Sequence, residues 1–452
     1  MKNTNITEGS IWKNMLSYFW ALLLGAFFQQ FYNTIDAVIV GRAVSSDALG
    51  AVGGSAAMVV NLFVGFFMGL SSGASVVISQ FYGAGRKKDV ESSVHTALAL
   101  AVTGGFVITI IGVAVAPGII HAMSTPKEQA DAAVIYLRIF FMGMIANLVY
   151  NMGAGILRAV GDSKRPLIVL VISCFANIIL DVFFVIVLGL GKRGDSQGVM
   201  GVAIATVLCQ IISAALVLLI LMRTEDSYKV SLRKIRFEPH MLGKIVRIGL
   251  PAGFQTTMYT ISNVIIQSAF NSLGKDVAAA WAAYGKIDVI FWMTVSCMGT
   301  SVTTFVGQNY GAGKNDRVRK STRQGFLIAF VITIPLSLTM YLFGDVLLRI
   351  FVTNEEVVRI GVQMIEFLAP FYCTYIAVEI FAGTLRGMGD AILPMLITLS
   401  GICILRVVWM FTVFPQSRTV QTIEMSYPLT WITTSLLFLI YYLIFITKKK
   451  IR

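Results

Sequence analysis

The sequence predicts an all-α integral membrane protein of twelve transmembrane helices, in two six-helix lobes related by a pseudo-twofold axis along the membrane normal. Three observations predict it. First, 56% of the 452 residues are hydrophobic and 13% are charged, whereas a water-facing globular chain carries roughly 25% charge. Second, the apolar residues fall into twelve runs long enough to cross a bilayer. Third, the chain repeats itself at a fixed shift of 228 positions. Gln80, Tyr82, Gly83, Ala84 and Gly85 return as Gln308, Tyr310, Gly311, Ala312 and Gly313, and Gly155, Leu157, Arg158, Gly161, Asp162 and Pro166 return as Gly383, Leu385, Arg386, Gly389, Asp390 and Pro394. One shift fits both segments without a gap. A repeat of this length in an apolar helical chain implies a transporter built from two halves around a central site.

The first run, 16–38, has no basic stretch and cleavage site before it, so it is expected to stay in the bilayer. The runs at 51–79, 94–117, 133–157, 167–190 and 198–222 complete the first half. The longest polar stretch comes next, from Arg223 to Arg247, and then come 246–271, 277–307, 324–348, 358–384, 392–414 and 423–446. The expected organisation is a first lobe over 1–222, a cytoplasmic linker over 223–245 and a second lobe over 246–452. With six spans per half, both repeats enter the membrane in the same orientation.

Most of the 36 basic residues fall on the side of the linker, including Lys2, Lys13, Arg86–Lys88, Lys314 and Lys448–Lys450, with Arg452. The other side receives few, among them Arg42, Lys127, Lys192, Arg193 and Arg418. Both termini are therefore expected in the cytoplasm. The net charge of +13 is spread over these short loops, which indicates membrane orientation and argues against nucleic acid as a partner. Cys174, Cys209, Cys297, Cys373 and Cys403 lie inside apolar runs and are odd in number, so they read as small buried hydrophobes. No H-E-x-x-H or G-x-S-x-G motif is present, and His95, His121 and His240 are scattered near span ends, which excludes the common hydrolase chemistries.

Residues present in both copies read as scaffold. Gly83-Ala84-Gly85 and Gly311-Ala312-Gly313 are expected to make sharp turns, with Gly83 and Gly311 at the strained positions. Gly161-Asp162 and Gly389-Asp390 close one helix and can cap the next. The asymmetries carry the chemistry. Asp36, in the middle of the first span, lands on Val264, while Asn177 and Asp181 land on Leu405 and Trp409. A charge at mid-bilayer costs roughly 2.5–3.5 kcal/mol on insertion scales, so it usually faces a cavity or a partner. Asn177 and Asp181 share a helix face with Ser173, and Tyr32 stands one turn before Asp36. Two acids, an amide and hydroxyls can hold a proton or a sodium ion; a hydrogen-bonded helix-packing network is the plainer alternative.

The second half carries a different polar set. Gln255, Tyr259, Asn263 and Gln267 recur every four residues, and Glu379 occupies the place of Asn151. Glu379 reads as a second cation site or a contact for a cationic substrate, or else as the partner of Arg406. Lys286 and Asp288, near the outer end of their span, read as interfacial. The 20 Met and 30 Phe suit a cavity for bulky apolar cations.

Asp36 with Val40-Gly41-Arg42, the Gln-x-Tyr-Gly-Ala-Gly loop and the Leu-Arg-x-x-Gly-Asp-x-x-x-Pro segment in both halves, and Asn177-x-x-x-Asp181 together resemble the multidrug and toxic compound extrusion (MATE) family. The resemblance covers essentially the whole chain. It implies two six-helix lobes about a V-shaped cavity and export of small organic cations in exchange for protons or sodium ions. It further implies no cofactor, a monomer, and a place in the cell inner (plasma) membrane. Asp36, Asn151, Asn177, Asp181 and Thr206 match the cation-site positions of the DinF-like branch, with Asp36, Asn177 and Asp181 as ligands for any sodium ion. Tyr32, Gln255, Tyr259, Asn263, Glu379 and Arg406 make up the expected substrate or second cation set. The first span has no proline, unlike some members, so a proline-hinged first helix does not carry over. A flippase or exporter of a lipid-linked or metabolite substrate is the competing function, but a pyrophosphate headgroup calls for several basic residues within spans, and only Lys286 and Arg406 qualify.

Overall fold

The computed structural model describes residues 6–123, 125–190 and 195–448, and the described regular elements are helical. Lys2, Lys192, Arg193, Lys449, Lys450 and Arg452, which enter the orientation argument, lie outside the described residues. The first half runs through α1 (Ile11–Val44), α2 (Ser46–Gly83), α3 (Lys87–Ala122), α4 (Lys127–Met142), α5 (Met144–Ala159), α6 (Lys164–Val187) and α7 (Asp195–Arg223). The second half runs through α8 (Pro239–Asn271), α9 (Lys275–Gly311), α10 (Asn315–Arg349), α11 (Glu355–Leu368), α12 (Tyr372–Gly387), α13 (Ile392–Thr412) and α14 (Val420–Lys448).

The repeat in the sequence is also a repeat of backbone. A shift of 228 carries the end of α2 onto the end of α9, and the starts of α3, α4, α5 and α6 onto those of α10, α11, α12 and α13. Gly85 and Gly313 share a φ of 68°, and Gly161 and Gly389 share a φ of 90°, a region that only glycine enters without strain. This corrects the expected turn position. Gly83 and Gly311 are the last helical residues of α2 and α9, and the left-handed residue comes two places later. There Arg86 N–H donates to Phe81 O at 3.0 Å and Lys314 N–H to Asn309 O at 2.9 Å, closing each helix with the same six-residue loop.

Small residues bring α2 against α5, where the Ser71 hydroxyl donates to Asn151 O at 3.0 Å and a Cβ on Gly155 would lie 2.8 Å from the Ser71 and Ser75 hydroxyls. The equivalent residues bring α9 against α12, with Thr303 Oγ1 donating to Gly383 O at 3.1 Å and Gly299 O 2.8 Å from a Cβ on Gly383. Close backbone approach through small residues is the usual way helices associate in lipid.

Ten helices among the described residues are long and apolar enough to cross a membrane, α11 and α12 counting as one. Two of the twelve expected spans stand apart. α4 and α5 are bent by 53° about Gly143 and qualify as a pair, while α8 is as long as the others at 33 residues but more polar. Several helices also contain wide, π-helical turns: Val40–Val44 ends α1, Val52–Ala56 interrupts α2, Val182–Val187 ends α6 and Leu399–Ile404 lies within α13.

The chain divides into two compact units. One is Trp20–Gly249; the other runs from Leu250 onward and includes the stretch that ends at Phe19. In the second unit the Arg317 guanidinium donates to Ile6 O and Gly9 O, both at 3.0 Å, and Lys314 to Thr7 O at 2.9 Å, tying down residues 6–9. In the first unit the segment after α7 is docked on α2 and α3. Tyr82 OH donates to Asp226 at 3.0 Å, Ser231 N–H to His95 Nε2 at 3.0 Å, and Lys234 pairs with Glu91 at 2.7 Å.

Candidate functional site: an acid pair and an aromatic cavity

In the first unit α1 carries Tyr32 and Asp36, and α6 carries Ser173, Asn177 and Asp181. Asn177 and Asp181 are fully buried, and Asp36 is half-buried with Oδ1 shielded from solvent. The carboxyls of Asp36 and Asp181 act directly on each other. Asp36 Oδ1, both carboxylate oxygens of Asp181 and both amide atoms of Asn177 lack hydrogen-bond partners. Two carboxylates offer acceptors only, so their approach inside a span is unfavourable unless a proton or a metal cation lies between them. The donor set of carboxylate and amide oxygens suits either a shared proton or a hard cation such as sodium.

The other expected members of this set donate along their own helices. Asn151 Nδ2 donates to Asn147 O at 2.9 Å and to Asn147 Oδ1 at 3.0 Å, and Thr206 Oγ1 donates to Val202 O at 3.0 Å, each along its own helix. Ser173 meets Ser213 of α7 at 2.5 Å. Tyr136 of α4, which the sequence does not single out, lies within electrostatic reach of both Asp36 and Asp181. Its only signal is a hydroxyl among apolar residues, two places before Arg138.

In the second unit, residues of α8, α9, α12, α13 and α14 line a cavity of about 460 Å³. Tyr259, Asn263 and Gln267 contribute the polar stripe of α8, and Glu379 and Arg406 face the same cavity. Gln255 does not: it donates to Thr398 Oγ1 at 3.0 Å and lines a smaller, apolar cavity of about 220 Å³. Tyr32 belongs to the first unit.

Two expectations about charges are corrected. Glu379 pairs with Arg386 on its own helix at 3.4 Å, not with Arg406; seven residues are two helical turns, which two long side chains can span. A side chain at Gly299 would fall on the Glu379 carboxylate, so this glycine makes its place. Asp288 is buried instead of interfacial, accepting from Tyr372 OH at 2.6 Å and Trp292 Nε1 at 2.5 Å, while Lys286 is exposed.

Sequence reasoning misses the aromatic wall. Trp281, Trp292, Tyr375, Tyr427 and Trp431 line the cavity, with Trp281 stacked on Phe270 at 4.1 Å and on Tyr284 at 5.0 Å. A signal for it exists: no tryptophan occurs between Trp20 and Trp281. Glu424 of α14 escapes in the same way; it is 1% exposed, with Oε1 unpartnered.

Comparison with known proteins agrees with this architecture. The chain is 28% identical over 450 residues to the probable multidrug resistance protein YoeA of Bacillus subtilis, covering 98% of this chain and 96% of that one. It is 25% identical over 332 residues to the probable multidrug resistance protein NorM of Thermotoga maritima, covering 73% and 70%. Its fold matches that of a MOP superfamily transporter from Pyrococcus furiosus with a TM-score of 0.91 at 21% identity, covering 100% and 99% of the two chains. An outward-facing multidrug resistance MATE family transporter of the MOP superfamily matches with the same score and identity over 99% and 98%. The MatE family profile matches twice, over residues 21–183 and 251–412, one match in each half. With both halves matched, the chain belongs to the MatE family, whose members are membrane transporters and not enzymes.

Proposed function

We propose that the protein is a secondary active exporter of amphipathic, mostly cationic organic compounds, driven by proton or sodium entry. It works as a monomer in the plasma membrane with both termini in the cytoplasm. The observation that carries this reading is the acid pair: Asp36 and Asp181 act on each other inside the first unit with unpartnered oxygens and Asn177 beside them. An ion that binds there neutralises a cost the empty pair would bear, and a cost that depends on ion occupancy can be coupled to a change of conformation. The relatives described as multidrug resistance proteins support the substrate class. The lipid-linked alternative is disfavoured because the lining of the second unit's cavity has one basic residue, Arg406.

The experiment is uptake of a fluorescent organic cation into inverted vesicles, with pH and sodium gradients imposed separately. Uptake under one of the two gradients is expected, and its loss in Asp36→Asn assigns the coupling to this pair. Uptake indifferent to both gradients refutes the proposal.

A further inference from the structure

His95 of α3 is 3% exposed, and both of its ring nitrogens are engaged. Nδ1 lies 2.8 Å from Glu91 O, and Ser231 N–H donates to Nε2 at 3.0 Å. A carbonyl oxygen can only accept and an amide N–H can only donate, so these two partners fix the ring as the neutral tautomer with its proton on Nδ1. The segment that supplies Ser231 joins α7 to α8. Tyr228 and Val230, each 2% exposed, anchor its beginning by burial. From Ser231 onward it is held on α3 by polar contacts: the one to His95, the exposed pair of Lys234 and Glu91 at 2.7 Å, and Glu238 N–H donating to Thr96 Oγ1 at 3.2 Å. An exposed ion pair contributes little, which leaves the buried imidazole as the contact that a single proton can break. The other unit has a counterpart without this feature. A shift of 228 carries the start of α1 at Ile11 onto the start of α8 at Pro239, so residues 6–9 correspond to part of this segment. Residues 6–9 are held by Arg317 and Lys314, and Arg323 stands at the position equivalent to His95. Of these side chains, imidazole is the type whose charge changes between about pH 5 and 8.

We propose that His95 is a pH-sensitive latch, whose protonation releases the segment 231–238, and with it the start of α8, from α3. A proton on Nε2 turns the acceptor into a donor that faces the Ser231 N–H, so the docked arrangement excludes the imidazolium. Release takes up one proton. Docking is therefore complete above the imidazole range and weakens as the pH falls through it. The Glu91 carboxylate acts electrostatically on His95 but is shared with Lys234, and on the same helix Asp89 pairs with Arg86 at 2.6 Å. Tyr82 of α2 donates to Asp226 of the segment, which also carries Arg236 and Glu238. Of the other helices packed against α3, α5 has Arg158 in its last turn, and α4 meets α3 where Thr109 donates to Phe141 O, about 20 Å along the helix from His95. His240, exposed in the first turn of α8, is a second imidazole close to the segment in sequence. Since α8 passes from the first unit to the second at Leu250, the latch sets how firmly one of the helices joining the two units is fixed at its start. The alternative is a histidine whose hydrogen bonds pack the segment at every pH.

The test is hydrogen–deuterium exchange, read by mass spectrometry, on the full-length protein in lipid nanodiscs with no ion gradient. Rates are compared at about pH 7.5 and about pH 5.5, on either side of the imidazole range, after correction for the intrinsic effect of pH on amide exchange. The segment 231–238 is expected to exchange about tenfold faster at the lower pH, the effect of one ordinary imidazole titrating over that interval. Residues 6–12 are expected to change by about twofold or less, because no imidazole holds them. His95→Gln, which keeps an amide donor and acceptor but does not titrate, is expected to abolish the response. The chain has three histidines, so His121→Gln combined with His240→Gln leaves His95 as the only one. That double variant is expected to keep the response, and it decides the matter if His95→Gln does not fold. No acceleration in 231–238, or the same acceleration in residues 6–12, overturns the proposal. So does a response that survives His95→Gln or disappears in the double variant. Because exchange is measured without a gradient or a substrate, failure here is distinct from failure of the uptake experiment.

Discussion

The two units share a backbone frame and differ in where they leave charge unpaired. Among the described residues, the first has two carboxyls that meet with no base paired to them, whereas in the second Glu379 and Asp288 have donors, Glu424 is buried with Oε1 unpartnered, and Arg406 has no acid. The shared frame resides in turns and small residues, such as the left-handed Gly85 and Gly313 and the Gly155 and Gly383 contacts. The difference teaches that duplication preserved what closes and packs helices, while the interior of each unit took on its own chemistry. In the second, the guanidinium of Arg406 lies 4.2 Å over the ring of Tyr427 without an acid beside it among the described residues.

The largest effect that could break this contrast is on coupling. Asp36→Asn and Asp181→Asn are each expected to lower gradient-driven efflux by about a hundredfold or more with near-normal folding, whereas Val264→Leu, at the position equivalent to Asp36, should change it by about twofold or less. Vesicle efflux and melting temperatures measure this. Wild-type rates in Asp36→Asn, or a folded Val264→Leu protein that no longer couples, would show that the asymmetry does not mark the ion site.

Within the second unit, Asp288→Asn should cost about 1–3 kcal/mol, since an amide cannot accept from both Tyr372 and Trp292 as the carboxylate does. Glu379→Gln loses only a long contact with a partly exposed Arg386 and should cost about 1 kcal/mol or less. Thermal melts with equal losses would mean that Glu379 is as structural as Asp288.

The shared frame makes a more symmetrical prediction. Gly85→Ala and Gly313→Ala should each cost about 1–2 kcal/mol and match one another, because a Cβ at either meets no neighbour within 4 Å and only the backbone strain remains. Unequal losses in thermal melts would show that the two turns are not under the same constraint.

The smallest effect separates the two copies of the Gly-Asp pair. Asp162 Oδ1 accepts from Arg165 N–H at 3.0 Å and caps α6, as the sequence suggests, whereas Asp390 Oδ2 accepts from Tyr441 OH of α14 at 2.5 Å. Tyr441→Phe should therefore cost about 1 kcal/mol in a thermal melt, through a contact that the first unit does not have.

These cases mark the boundary of what the chain reveals by itself. Helix ends and turns are local: glycine spacing and apolar run length specify them, so the order of the helices is legible, while several helices extend well beyond their apolar runs, as α10 does by starting at Asn315 and not at 324, and the strained glycine is misplaced by two positions. The positions of Asp36, Asn177 and Asp181 are legible because a charge inside an apolar run is costly wherever the helix points. Partner choice is not. Whether Glu379 meets Arg386 or Arg406, and whether Asp288 turns inward, depends on helix rotation and on which neighbour arrives, and a single sequence leaves both open. The aromatic wall is hidden for a similar reason, since its five rings come from three helices and acquire meaning only when enclosed.

The wide turns bear on three of these charges. Asp181 is the last residue before Val182–Val187, Asp36 stands one turn before Val40–Val44, and Arg406 comes just after Leu399–Ile404. In such a turn the hydrogen bond reaches back five residues, as from Ser45 N–H to Val40 O at 3.2 Å and from Leu188 N–H to Phe183 O at 2.9 Å, so the helix holds one residue more than a regular turn needs. Moving that surplus residue along the chain breaks and remakes only one or two hydrogen bonds, yet it swings each side chain it passes by about 100° around the axis. A buried charge beside such a turn can therefore change the face it presents without the helix unwinding, much as a slipped stitch rotates along a cord.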